Sequence, residues 1–337
     1  MKMSNTRRSD FDVTNSVQVS SARAVLAAVE ALFRPTWPGL PLEPLRRAFT
    51  HFDRLFAGEV AGFEGCDTVY HDRQHTLDIT LALARLLVGY EQQQEEEAGR
   101  LGGARACVGL LTGLFHDIGY LRRADDRDSR NGAEFTRTHV ARGARFLSEY
   151  LPALGFGAWV PVASEIVHFT GYEMPFDRIA ERVSDPRDIL VGHMLGTADM
   201  IAQMADRCYL EKCRDRLYAE FVVGGVALPL NGGNTHVKYA SGLDLLRQTP
   251  EFVMEVRSKR LDGDFRAAYR YLEVLYNGRN PYIEAIDQNV EFLRQVLRSE
   301  NWQLLRRRPP IFAAVEDPMG TMRGLMLGYI KRVWANY

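Results

Sequence analysis

Gly113-Leu114-Phe115-His116-Asp117-Ile118-Gly119-Tyr120 places an adjacent histidine and aspartate at the end of an apolar run that starts at Val108. The glycine two residues after the aspartate is a residue type that commonly ends a helix. Inside a helix, neighbouring side chains point about 100° apart, but at a helix end both can turn toward one cation. An imidazole and a carboxylate together suit Zn²⁺, Mn²⁺, Fe or Mg²⁺. The stretch therefore indicates either a metal site or a hydrogen bond between two partly exposed side chains.

The composition is that of a folded protein without a strongly charged partner. Among 337 residues, 46% are hydrophobic and 25% are charged, so the chain can bury a sizeable core in one or two domains. Lys and Arg total 42 against 43 for Asp and Glu, so no overall field favours nucleic acid or an anionic membrane. Four cysteines without a C-x-x-C pair, no apolar run of about 20 residues and no signal-peptide pattern predict a soluble cytoplasmic protein.

Helical patterns follow one another along the chain with few interruptions, so the fold class is predicted to be all-α. Residues 1–19 are expected to form a disordered tail, and residues 20–225 a helical domain that holds the candidate metal ligands. Residues 226–337 are expected to form a helical extension packed on that domain. The one stretch that favours an extended conformation is 222–230, which precedes a glycine-rich turn.

Six side chains with metal-ligand chemistry lie in separate predicted elements: His75, His116, Asp117, His139, His168 and Asp199. Taken singly, some have a plain structural explanation. His139 could be an exposed imidazole in an Arg-rich helix, and His168 could interact with a helix dipole. Asp199 lies in an apolar helix, where a buried carboxylate needs either a metal or an arginine beside it. The order of all six along the chain is what points to a metal site.

This ordered series (His, His-Asp, His, His and a late Asp) resembles that of the HD-domain superfamily of metal-dependent phosphohydrolases. Two local matches strengthen the resemblance. Tyr70-His71-Asp72-x-x-His75-x-x-Asp78-Ile79 resembles the Tyr-His-Asn-x-x-His-Ala-x-Asp-Val segment of class I cyclic-nucleotide phosphodiesterases. Thr197-Ala198-Asp199-Met200 resembles their Ala-Thr-Asp-Met-Ser segment. The resemblance covers roughly residues 45–220 and implies an HD-domain helical bundle with additional C-terminal helices.

By position, the resemblance implies a site for one or two divalent ions, which would be Mn, Mg, Fe or Zn. The first ion would be bound by His75, His116, Asp117 and Asp199. Asp117 would also bridge to a second ion. His139 and His168 look like the additional histidines of dinuclear members such as the HD-GYP enzymes, and would complete that second site.

The resemblance also implies catalytic roles for His71 and for the bridging Asp117. A hydroxide held between the ions would attack phosphorus, and His71, which matches the phosphodiesterase general acid, would protonate the leaving oxygen. His71 lies four residues before His75, on the same face if that segment is helical. Asp72 and Asp78 are expected to support the ligands through hydrogen bonds, with Asp78 as an acceptor for an imidazole N–H.

The substrate is less well determined than the chemistry. Asp72 stands where the phosphodiesterases have Asn, and no counterpart of their purine-selecting glutamine segment follows Asp199. Gly171-Tyr172-Glu173-Met174-Pro175 matches the Gly-Tyr-Pro motif only in part, so the sequence does not support cyclic di-GMP as the substrate either. The prediction is therefore a phosphoric ester hydrolase that acts on a small-molecule phosphoester, with nucleotides among the candidates. A homodimer is left open.

Two other functions use the same residues. HD-type di-iron oxygenases related to myo-inositol oxygenase have the same ligand order, and their ions activate O₂ rather than water. His71 has no role in the oxygenase ligand set, and its presence favours hydrolysis. The third alternative is a non-catalytic metal- or ligand-binding regulatory module, against which the retention of all six candidate ligands argues.

Overall fold

A computed structural model of the chain describes residues 7–228 and 237–335. Within these ranges the chain forms thirteen α-helices joined by turns and short 3₁₀ segments, and its only β-type pairing is two isolated bridges. The predicted all-α fold is confirmed. None of the described helices is long and apolar enough to cross a membrane.

The helices differ widely in length, and the two longest, α3 and α8, lie at the centre of the fold. In chain order the helices are α1 (Ala22–Thr36), α2 (Glu43–Phe56), α3 (Arg73–Gln93), α4 (Gly103–Leu114), α5 (His139–Tyr150), α6 (Val160–Ile166), α7 (Phe176–Arg182), α8 (Pro186–Ala205), α9 (Tyr209–Lys212), α10 (Tyr218–Val223), α11 (Gly242–Glu255), α12 (Pro281–Ser299) and α13 (Pro318–Ala335). A π-helical stretch, Cys213–Leu217, joins α9 to α10, and another, Val256–Asp264, extends α11.

Helices α3 and α8 pack against each other and are apolar on most sides, as expected of buried helices. Asp72 begins α3 by accepting a hydrogen bond from the backbone N–H of His75. Asp185 and Pro186 begin α8, because the aspartate accepts from Arg187 N–H and proline suits the first helical position. An Asp-Pro pair is a sequence signal for the start of a helix, so this boundary could be read from the residues alone. The two helices carry His75 and Asp199 into the interior.

Helix α4 approaches α3 closely because Gly113 has no side chain. A Cβ atom at this position would lie 2.6 Å from Cδ2 of Leu83 on α3, closer than atoms can pack. The close approach sets the end of α4, and the His-Asp pair that follows it, beside the first turns of α3. Glycine is therefore needed here for packing rather than for its backbone conformation.

Residues 7–19 differ from the predicted disordered tail, because they pack against α3. The carboxylate of Asp12 is fully buried and lies 2.8 Å from the guanidinium of Arg85, which also donates to the hydroxyl of Tyr282 at 2.7 Å. A buried guanidinium needs a partner of opposite charge, and the N-terminal segment supplies it. Residues 1–6, the rest of the predicted tail, lie outside the described part of the chain.

The C-terminal elements share their core with the rest of the protein. One continuous cluster of buried apolar side chains extends from Val19 to Leu305, and α12 packs directly on α8. The stretch 222–230, which favoured an extended conformation, begins inside α10 and continues as turns as far as residue 228. Val222 and Val223 are buried against α13, so this apolar run serves helix packing instead of a strand. Residues 229 and 230 lie outside the described ranges.

Candidate metal centre

Four of the six predicted ligands converge in the interior, from α3, the turn after α4, and α8. Nε2 of His75 and Nε2 of His116 lie 3.4 and 3.2 Å from Oδ2 of Asp117. Both nitrogens also lie 4.0 Å from Oδ1 of Asp199. All four side chains are buried, so two imidazoles and two carboxylates face one another out of contact with bulk water.

The adjacent histidine and aspartate follow the end of α4, as the sequence predicted. The helix ends at Leu114, and the chain continues as a turn and a short 3₁₀ segment, Ile118–Tyr120. Nδ1 of His116 lies 2.7 Å from the carbonyl oxygen of Gly113, to which it donates its proton, so that Nε2 is the atom that faces the carboxylates. In metal sites, a hydrogen bond from the ring nitrogen that does not bind the ion fixes the orientation of the imidazole.

Two buried atoms at the centre of this cluster have no hydrogen-bond partner among the residues that the structure describes: Nε2 of His116 and Oδ2 of Asp117. Leaving a buried polar atom unpaired costs about 1–3 kcal/mol. A cation bound by both atoms would remove that cost, and the mixture of imidazole nitrogen and carboxylate oxygen suits Zn²⁺, Mn²⁺ or Fe. The residues present therefore fit a divalent metal ion.

The titration behaviour of the cluster indicates the same need for positive charge. Burial alone lowers the pKa of His116, but the neighbouring Asp117 outweighs it and raises the pKa to about 9. Burial opposes ionisation of Asp117 too, yet the surrounding imidazoles hold the pKa of this carboxyl well below its ordinary value. The carboxylates thus attract protons onto the imidazoles, and a bound metal ion would displace those protons.

His139 faces the other oxygen of Asp117. It is the first residue of α5, and its Nε2 lies 3.7 Å from Oδ1 of Asp117, while its Nδ1 lies 2.9 Å from the carbonyl oxygen of Thr136. Burial lowers the pKa of His139 to about 4, which keeps it neutral, as a metal ligand must be. Glu173 accepts hydrogen bonds from the N–H groups of Val140 and Ala141 and so caps the helix that begins with this ligand.

His168 is not brought into the cluster. In the described ranges, the groups of His, Cys, Asp or Glu whose atoms all lie within 4.8 Å of one another are His71 with His75 and Asp117, and His75 with His116 and Asp199. His168 lies on the turn after α6, which packs against α8 beside Gly196. Its Nδ1 is buried without a hydrogen-bond partner among the described residues, but the imidazole belongs to neither of these groups.

His71 is held by Glu220, a residue that the sequence interpretation missed. Oε2 of this glutamate lies 2.5 Å from Nδ1 of His71, and Oε1 accepts hydrogen bonds from the N–H groups of Val69 and Tyr70. Burial lowers the pKa of His71, but Glu220 outweighs that effect and the pKa lies above its ordinary value. The available signal was a single carboxylate in the apolar sequence of α10, where burial requires a polar partner.

Tyr120 is a second residue that was missed. Its ring stacks on His71 with centroids 4.4 Å apart, and on His139 with centroids also 4.4 Å apart. Offset stacking at this distance is favourable for aromatic rings. Tyr120 therefore contacts both imidazoles, whose own centroids lie 6.4 Å apart, and helps fix the distance between the predicted proton donor and the predicted ligand.

The two aspartates expected to support the ligands act differently from the prediction. Oδ1 of Asp72 accepts from the backbone N–H of His75 at 3.1 Å, so it fixes the start of α3 rather than an imidazole. Asp78 makes no hydrogen bond to an imidazole in the part of the chain described, and its Oδ1 is unpartnered. It lines a cavity of about 10 Å³, the size of one water molecule, together with His75. Burial raises the pKa of Asp78 to about 8.

Comparison with known proteins assigns neither a family nor a function to the chain. No protein-family model, curated protein or solved structure matched the chain. The resemblance to HD-domain enzymes therefore remains a prediction, which rests on the residues quoted from the sequence and on the arrangement of their side chains.

Proposed function

We propose that the chain is an HD-type metal-dependent phosphoric ester hydrolase that acts on a small phosphoester, with nucleotides among the candidate substrates. The observation that carries the proposal is the orientation of Asp117. Its Oδ2 faces His75 and His116, whereas its Oδ1 faces His139. A carboxylate whose two oxygens face separate imidazoles is suited to bridge two divalent ions.

The described side chains offer ligands for both ions. The first would be held by His75, His116, Asp117 and Asp199, and the second by Asp117 and His139. When bound, Mn, Mg, Fe or Zn ions would lower the pKa of a coordinated water and neutralise charge on a phosphoryl group. The protein supplies a buried site and fixed imidazole orientations, because Gly113 and Thr136 accept the Nδ1 protons of two ligands.

His71 is suited to donate a proton to the leaving oxygen. Glu220 holds its Nδ1, so Nε2 is the nitrogen left to meet a substrate, and the imidazole lies within 4.8 Å of the candidate ligand atoms of His75 and Asp117. An imidazole paired with a carboxylate keeps its second proton at neutral pH and can transfer it to an alkoxide as the ester bond breaks.

The His71–Glu220 pair also supports hydrolysis over the oxygenase alternative. An O₂-activating di-iron site uses its imidazoles as ligands and needs no separate proton donor backed by a carboxylate. His168, the sixth ligand that the oxygenase pattern requires, lies outside the convergent groups of the described residues. The four cysteines are buried and free, as expected in a reducing compartment such as the cytoplasm.

The experiment is a screen of phosphomonoesters and phosphodiesters with purified protein and added Mn²⁺, Mg²⁺, Zn²⁺ or Fe²⁺. We expect metal-dependent ester cleavage that is lost in Asp117→Asn and retained in Asp126→Asn, a carboxylate change in the exposed loop before α5. Oxygen uptake by a di-iron form without ester cleavage would favour the oxygenase. Metal binding without turnover of any substrate would favour the regulatory module.

A further inference from the structure

A cleft of about 840 Å³ is lined by residues from two segments, 211–216 and 302–323. None of the candidate metal ligands lines it. Trp302 contributes to its wall, and the cleft is lined by six arginines, Arg214, Arg216, Arg306, Arg307, Arg308 and Arg323, with only two carboxylates, Glu211 and Asp215. We call it the arginine cleft. Its volume lies in the range of small-molecule binding sites.

Half of these arginines have partners within the protein. Arg214 makes two hydrogen bonds to Asp215, at 2.7 and 2.8 Å. Arg307 lies 3.7 Å from Glu211 and donates to the carbonyl oxygen of Arg207. Arg216 is buried, donates to the carbonyl oxygen of Pro310 at 3.1 Å and lies 3.9 Å from Asp72. The two carboxylates of the cleft are thus already engaged.

The other three arginines, Arg306, Arg308 and Arg323, are exposed and form no ion pair with any residue in the described ranges. Because the chain as a whole carries a formal net charge of −1, this excess of positive charge is local to the cleft. Guanidinium groups that surround one cavity repel one another until an anion enters. A concave wall of one charge sign also concentrates the field inside it.

The chemistry of the lining selects the anion. Guanidinium is planar and binds a phosphate through two parallel N–H groups. Three arginines together offer more N–H donors than a single carboxylate can accept, so the lining suits a ligand with several phosphates. Trp302 is half-buried, lines the cleft beside the arginines and has the guanidinium of Arg247 5.5 Å from its ring centroid, so the cleft includes an aromatic side chain that a heterocycle can contact. Arg216 separates the cleft from the N-terminus of α3, because it reaches the carbonyl oxygen of Val69 and approaches Asp72. The cleft and the metal cluster are therefore separate sites with a common wall.

We propose that the arginine cleft binds a small organic polyphosphate of the nucleoside triphosphate type. Arg306, Arg308 and Arg323 hold its phosphates, and Trp302 packs against its heterocycle. The binding is independent of the function proposed for the metal cluster, since no residue of that cluster contributes to it.

The test is calorimetric titration of the metal-loaded full chain with ATP, inorganic tripolyphosphate and adenosine. We expect one saturable site for ATP, weaker binding of tripolyphosphate and none of adenosine alone. Arg306→Glu combined with Arg308→Glu should weaken ATP binding by about tenfold or more. The matched control Lys331→Glu, an exposed charge reversal on α13 outside the cleft, should leave it within about twofold. Binding should persist in Asp117→Asn, which separates it from the metal cluster.

Several outcomes would overturn the proposal. One is the absence of saturable ATP binding at about 1 mM ligand. A second is equal weakening by the cleft variant and by Lys331→Glu, which would indicate a general field effect. Loss of binding only in Asp117→Asn would assign the ligand to the metal cluster instead. A single-stranded oligonucleotide that binds while ATP does not would assign the cleft to nucleic acid. Thermal unfolding of each variant shows whether it is folded.

Discussion

The metal cluster and the arginine cleft are both collections of charged or ionisable side chains, but they are built in opposite ways. In the cluster, carboxylates and imidazoles face one another in the interior, and backbone carbonyls or helix caps fix their orientation. In the cleft, arginines of like charge border an open cavity, and three of them form no ion pair within the described part of the chain. The comparison teaches that a buried site carries its own counter-charges, whereas an exposed site can leave them to its ligand.

The strongest test of the buried site is removal of its shared carboxylate. Asp117→Ala is expected to abolish binding of both ions, because Asp117 is the one candidate ligand that faces both imidazole sets. His139→Ala, by contrast, should weaken only the second ion, because His139 faces only Oδ1 of Asp117. Metal content after gel filtration, measured by plasma mass spectrometry, gives the answer. Full and equal retention of metal in both variants would contradict the assignment of the site.

His71 distinguishes catalysis from mere metal binding. If it is the proton donor, His71→Asn should keep the metal content and lower turnover by about 10²–10⁴-fold, the usual contribution of a positioned acid. The loss should shrink for p-nitrophenyl esters, whose leaving group needs little protonation. A loss of equal size for good and poor leaving groups would deny the acid role. Loss of metal would instead make His71 a ligand.

His193 is the contrasting case of a buried histidine that has no carboxylate beside it. It packs between the rings of Phe169 and Phe265, and burial lowers its pKa to about 4. Below about pH 6.5 the unfolded chain takes up a proton that the folded chain resists, so stability falls as the pH falls from 6.5 toward 4. One pKa unit corresponds to about 1.4 kcal/mol, so the total loss is about 3 kcal/mol.

A neutral replacement isolates this contribution. His193→Gln should remove that part of the pH dependence, so the difference in unfolding free energy between the two proteins should shift by about 3 kcal/mol between pH 6.5 and 4. Urea unfolding at several pH values measures it. Parallel stability curves for the wild-type protein and the variant would show that His193 is not held neutral by burial.

Glu220 is a positioning residue, and its effect should be the smallest of the four. Glu220→Gln keeps the size of the side chain and should lower turnover by about 10–100-fold, as is usual for partners of active-site imidazoles. Because Glu220 raises the pKa of His71, its loss should move the high-pH decline of activity to lower pH. A lower rate with an unchanged pH profile would indicate that Glu220 serves only the fold around Val69 and Tyr70.

The parts of the structure that the sequence predicted are those with local signals. The helix start at Asp185-Pro186 and the position of His116 and Asp117 just after α4 both follow from neighbouring residues. Asp199 was singled out because a carboxylate needs a reason to lie in an apolar helix, and His75, His116 and Asp117 were singled out by the local motifs that carry the family resemblance. Their order along the chain then indicated that they meet, and the described geometry brings these four together.

The parts that were missed depend on residues far apart in sequence. Glu220 and His71 are separated by 149 residues, and Asp12 and Arg85 by 73, so no periodicity connects them. In the sequence, segment 306–308 is a run of charged residues, which is typical of solvated surface. It becomes the wall of a cleft only because α13 and the Cys213–Leu217 stretch pack around it. His168 is the opposite case, because it matches the ordered sequence pattern but lies outside the described cluster.

The most direct test of the central claim is electron paramagnetic resonance of the protein loaded with two Mn²⁺ ions per chain. Two ions bridged by Asp117 lie close enough to be magnetically coupled, so the account predicts the spectrum of a coupled Mn²⁺ pair. It also predicts that His139→Ala, which removes a ligand of only one ion, converts the spectrum to that of isolated Mn²⁺. A spectrum of isolated ions in the wild-type protein at full loading would contradict the claim that Asp117 bridges two metals.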